Sequence, residues 1–66
     1  KTMIHIYYPE GGEVKDKEVS VNGVADFARR LIDAGVTQAT LVKQGGESQR
    51  FVLDEDAVED IIDWLN

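Results

Sequence analysis

Residues 2–13, Thr2-Met3-Ile4-His5-Ile6-Tyr7-Tyr8-Pro9-Glu10-Gly11-Gly12-Glu13, decide the fold. β-Branched and aromatic side chains run up to a Gly-Gly pair, and beyond it a charged stretch ends in Val19-Ser20-Val21. Glycine reaches positive φ without steric cost, so Gly11-Gly12 suits both central positions of a tight primed turn, and the flanking segments pair as a hairpin. A two-residue turn sets Ile4 opposite Val19, His5 opposite Glu18 and Ile6 opposite Lys17. Ile4, Ile6, Tyr8, Val19 and Val21 then share one face. Pro9 has no N–H to donate, which places the end of this strand at an edge or on its way out of the sheet.

After Ser20 the period changes. Val24, Phe27, Ala28 and Leu31 recur at helical spacing, with Asp26, Arg29, Arg30 and Asp33 on the opposite side. Ser20 or Asn22 is placed to cap this helix. Gly35 suits the left-handed position that ends it after residue 34, with Val36 set to touch Leu31.

The second half follows the same order: a strand over 37–43, a Gln44-Gly45-Gly46-Glu47 turn, a strand over 48–53, and a helix from Asp54. A shift of 34 residues superposes Gly11-Gly12-Glu13 on Gly45-Gly46-Glu47, Val24 on Val58, Phe27 on Ile61 and Leu31 on Leu65. The sequence therefore reads as one α+β domain over 1–66, a duplicated ββα-ββα of hairpin-helix units 1–35 and 36–66. Its four-stranded, mainly antiparallel sheet carries two helices packed on one face, because both apolar helix stripes need a common surface. The expected core is Ile4, Ile6, Val21, Phe27, Leu31, Phe51, Leu53, Ile61 and Leu65. The same register turns Thr40 and Val42 towards the helices and leaves Met3, Tyr7, Ala39, Leu41 and Val52 on the open side. That much apolar surface requires either a bulge that brings Leu41 inward or a covering chain. Covering is the expectation, with Met3, Tyr7, Leu41 and Val52 as a homodimer or partner-protein face.

Composition narrows the function. Sixty-six residues, 42% apolar and 30% charged with one proline, describe a single compact core and not a disordered chain. Without a long apolar run or a leader pattern, no membrane span is expected and the cytoplasm is the expected location. Zero cysteines exclude a disulfide framework and a thiolate zinc site. The net charge of −6 is localised: residues 1–53 balance, and the excess is Asp54, Glu55, Asp56, Glu59, Asp60 and Asp63. Affinity for phosphate backbones comes from clustered Lys and Arg, so this distribution argues against direct nucleic-acid binding and for a protein partner with a basic surface.

Asp54 is placed to cap the last helix, and Glu55 and Asp56 complement the positive end of its dipole. Glu59, Asp60 and Asp63 need another reason, as does Trp64 at the margin of the Val58-Ile61-Ile62-Leu65 stripe. Asp56, Glu59, Asp60, Asp63 and Trp64 are therefore the expected partner-binding residues. A structural role for Trp64 would be to seal the core edge against Arg30.

No catalytic, cofactor-binding or metal residue is expected. His5 is the lone histidine, and its register sets it in an exposed pair with Glu18. Asp54-Glu55-Asp56 lacks the sixth-position Gly and twelfth-position Glu of a calcium loop. Both Gly-Gly pairs sit between strands, whereas phosphate cradles lead from a strand into a helix. The expectation is a small, non-enzymatic, acidic binding or regulatory protein acting through protein–protein contact. The alternatives are a nucleic-acid-mimicking inhibitor of a DNA- or RNA-binding protein, of phage or mobile-element type, and then a small enzyme or metal-binding domain.

Overall fold

The computed structural model describes residues 2–66. Gly11 and Gly12 adopt φ of 63° and 79°, which closes the two-residue turn between β1 (Met3–Glu10) and β2 (Glu13–Ser20). The register runs from Glu10 opposite Glu13 out to Met3 opposite Ser20, and sets Ile4 on Val19 and Ile6 on Lys17 as the sequence predicts. A 3-10 turn over Val21–Gly23 leads into α1 (Val24–Asp33), followed by β3 (Gln38–Lys43), β4 (Ser48–Val52) and α2 (Ala57–Leu65). The strands form one antiparallel sheet in the order β2-β1-β3-β4, so the fold is α+β with β2 and β4 at the edges.

The second hairpin departs from the predicted register. The Lys43 N–H donates to the Glu47 carbonyl at 2.7 Å, and the Gly46 N–H donates to the Lys43 carbonyl at 2.9 Å. Lys43 therefore faces Glu47, and the loop holds Gln44, Gly45 and Gly46 instead of the two glycines alone. Side chains alternate with a period of two, so this one-residue difference turns the whole of β3 over. Ala39 and Leu41 point into the core with 3% and 1% of their surface exposed, while Thr40 and Val42 look outward. Leu41 thus leaves the expected dimer face. The two Gly-Gly turns also differ in length, so the 34-residue shift does not carry one hairpin onto the other side chain by side chain.

α1 ends where the sequence places its stop. Gly35 has φ 84°, its N–H donates to the Ile32 carbonyl, and the Val36 N–H donates to the Leu31 carbonyl, each at 3.0 Å. This double closure satisfies two orphan carbonyls and buries Val36 in the core. A Cβ on Gly35 would meet nothing within 4 Å, so the cost of Gly35→Ala is backbone conformation alone. The variant is expected to lose about 1 kcal/mol and about 4–8 °C in thermal midpoint, read by circular dichroism. At the other end of α1 neither Ser20 nor Asn22 makes a side-chain cap. The 3-10 turn occupies that position, and the Val21 N–H is held by the Thr2 carbonyl at 3.1 Å.

α2 begins later than predicted. The Asp54 carboxylate accepts the Asp56 N–H at 3.0 Å, and the Asp54 carbonyl accepts the Ala57 N–H at 3.2 Å, so Asp54 organises a turn that delivers the chain into the helix. Ala57 and Ile61 are buried, Val58, Trp64 and Leu65 pack around them, and Ile62 is 41% exposed. The helix is thus rotated towards Trp64 and away from Ile62 relative to the predicted stripe. Val24, Ala28 and Leu31 of α1 join Ala57 and Ile61 over Ile4, Ile6, Leu41 and Phe51, all on one side of the sheet. Val21, Phe27 and Leu65 lie at the rim of this core, with Phe27 edge-on to Tyr8 at 5.6 Å. Among the described residues nothing covers the other side of the sheet.

Candidate functional site

Two surfaces carry chemistry that the core does not require. The first is the acidic end. Asp54, Glu55 and Asp56 in the entry turn and Glu59, Asp60 and Asp63 on α2 are all exposed. Among the described residues the ion pairs are His5–Asp16, Lys15–Glu10, Arg29–Asp26 and Lys43–Glu47, so none of the six carboxylates at this end is neutralised by a cation within 4 Å. At 100° per residue, with Ala57 and Ile61 facing inward, Glu59 and Asp63 project furthest from the core and Asp60 stands on the flank beside Trp64.

Trp64 is half-buried and closes the edge of the core. Its ring meets Phe51 edge-on at 5.6 Å and 70°, and the Lys43 ammonium lies 4.4 Å from the ring centre. The cation beside the indole is therefore Lys43 and not Arg30, which is exposed on α1. The inverted β3 explains the exchange, because it directs Lys43 to the helix side of the sheet, opposite Ile4. The sequence carries Lys43 in plain view, but only the register shows which face it serves.

The second surface is the open sheet face. Its central row runs Asp16, Tyr7, Thr40, Arg50 across the four strands, and the next runs Glu18, His5, Val42, Ser48. On the far side of the central row, Val14 pairs with Pro9 and Gln38 with Val52. Met3 and Tyr7 lie on β1 at this face, and Val52 is on β4, so three of the four residues of the expected contact face are present and only Leu41 is missing. Tyr7, Val52 and Val14 are 39%, 68% and 76% exposed. His5 stacks on Tyr7 with ring centres 4.6 Å apart, and its Nε2 lies 3.2 Å from an Asp16 oxygen. The histidine thus reaches diagonally to Asp16 and not to Glu18 directly opposite, a span that long side chains on one sheet face cover.

The face has two shallow grooves of about 190 Å³ each, one beside Tyr7, Val14 and Arg50 and one between Met3, His5 and Val42. Both fall below the roughly 300–1,000 Å³ of small-molecule sites. Among the described residues no hydroxyl is hydrogen-bonded to His5, and no group of three His, Asp or Glu side chains is arranged to hold a metal ion. No helix of the described residues is long and apolar enough to cross a membrane. Comparison with protein-family models, curated proteins and solved structures finds no match.

Proposed function

We propose that this chain is a small binding protein that acts through protein–protein contact, with the acidic flank of α2 receiving a basic partner. The observation that carries this reading is the concentration of six exposed carboxylates at one end, without an intrachain cation among the described residues, on a chain otherwise balanced in charge. Crowded like charges repel, and Lys or Arg side chains brought by a partner relieve that repulsion while steering encounter. Ile62 and the exposed edge of Trp64 flank the carboxylates and supply apolar contact, the part of an interface that holds after encounter. A mimic of nucleic acid is less well supported, because duplex charge extends along both strands whereas these carboxylates sit on one turn and a nine-residue helix about 14 Å long.

The test compares the wild-type chain with E59Q/D60N/D63N. Proteins retained from the host on the immobilised chain are identified, purified and titrated at two salt concentrations. The expected result is a partner rich in exposed Lys and Arg, whose affinity falls with salt and is lost in the variant. Equal affinity for both chains, with the same salt dependence, would overturn the reading. Removing these charges sacrifices favourable dipole interactions in the first turn and relieves repulsion. The effects oppose, so the variant's stability is expected to stay within about 1 kcal/mol of wild type by urea denaturation.

A further inference from the structure

The central row of the open face, Asp16-Tyr7-Thr40-Arg50, has an acid at one end and a base at the other. Arg50 is exposed and has no ion pair among the described residues. Val14 and Val52, the two most exposed large hydrophobics, occupy opposite edges of the face one step beyond that row. Both pairs have the same symmetry: what β2 carries, β4 complements at the same level.

A two-fold axis lying between two such faces, parallel to the strands, exchanges the ends of every row and keeps its level. It places β2 of one copy over β4 of the other. Asp16 then meets the partner's Arg50, Val14 meets the partner's Val52, and Glu18 meets the hydroxyl of the partner's Ser48, each twice. The alternative in-plane axis, perpendicular to the strands, stacks β2 on β2 and β4 on β4, and set at the central row it crowds Asp16 against its own copy and Arg50 against its own. We propose that the open face is closed by a second copy of this chain about the first axis, giving a sandwich of two sheets about 10 Å apart with both acidic helices outside. This assembly is independent of the partner assigned to α2.

Four strands about 4.8 Å apart and about six residues long present roughly 400 Å² per copy, about half the ~800 Å² per partner of a standard stable interface and in the range of weak, transient ones. The dimer is accordingly weak and concentration-dependent, forming over roughly 10 μM to 1 mM. Sedimentation equilibrium across that range, at low salt, tests it on the full chain.

Wild type should approach twice the 7.4 kDa of one chain. D16R and R50D each replace two attractions by two repulsions and should weaken association by about tenfold or more. The charge swap D16R/R50D, and an equimolar mixture of the two single variants, should restore it. Circular dichroism melting confirms that each variant folds. Should the loss of the His5–Asp16 contact unfold D16R, R50D with and without added salt carries the test, since salt screens the new repulsion. A wild-type monomer at about 1 mM, single variants that associate as well as wild type, or a swap no better than its parents would overturn the proposal. E59Q/D60N/D63N should dimerise as wild type does, which separates failure of this interface from failure of the acidic one.

Discussion

Leu41→Asp is expected to leave the chain unfolded at 25 °C, whereas Val42→Asp, one residue along, leaves it folded. Leu41 is 1% exposed, stands opposite Ile6 in the sheet and belongs to the cluster that receives both helices. Removing its side chain costs about 2–5 kcal/mol, and a carboxylate without a cation in that position adds several more. A chain of this size holds a total stability of about 3–10 kcal/mol, so the substitution exceeds or consumes it. Val42 lies on the open face opposite His5 and Ser48, where a carboxylate reaches water. Its replacement costs about 1–2 kcal/mol, chiefly strand propensity and partial burial. Far-UV circular dichroism and the dispersion of amide NMR signals distinguish the outcomes. The opposite result, a folded Leu41→Asp and an unfolded Val42→Asp, would mean that β3 has the other register.

Phe51→Ala is expected to lose about 3–5 kcal/mol, a large part of the whole. Phe51 is the one buried side chain within β4, and Trp64 of the last helical turn rests on it edge-on. The truncation removes core volume and also an aromatic pair worth about 0.5–1.5 kcal/mol beyond its area, so the end of α2 loses its seat. Urea titration should show a midpoint far below wild type, with the indole fluorescence shifted towards that of exposed tryptophan before unfolding. Val52→Ala, at the neighbouring but 68% exposed position, should change stability by less than about 1 kcal/mol. Equal midpoints for the two variants would contradict the placement of β4.

The difference between these neighbouring residues is also the difference between what the sequence could and could not reveal. Gly11-Gly12 determines the first hairpin because a two-residue primed turn leaves only one register for its flanks. Gly35 likewise dictates the end of α1, because a left-handed residue there closes both last carbonyls. Gly45-Gly46 is less decisive: the same pair serves a two-residue loop flanked by Gln44 and Glu47 or a three-residue loop flanked by Lys43 and Glu47. Local chemistry does not choose between them; burial of Ala39 and Leu41 in place of Thr40 and Val42 does. A sum of apolar area over each face of β3 would have favoured the observed register. The contact of Lys43 with Trp64 was hidden for the same reason, since it exists only when β3 is turned over. The acidic excess was legible outright, being a property of composition along the chain. The rows of the open face were not, because each depends on three strand registers at once.

The free edge of β2 has a consequence for how the chain behaves when crowded. Eight residues, Glu13–Ser20, present an unpaired line of backbone donors and acceptors, the kind of template on which strands add side by side into fibrils. Along it stand Glu13, Lys15, Asp16, Lys17 and Glu18, a sequence of alternating sign that an incoming strand must either match charge for charge or desolvate. Lateral growth is thereby opposed at the longest exposed edge of the sheet, and polymerisation is discouraged where the backbone would otherwise invite it.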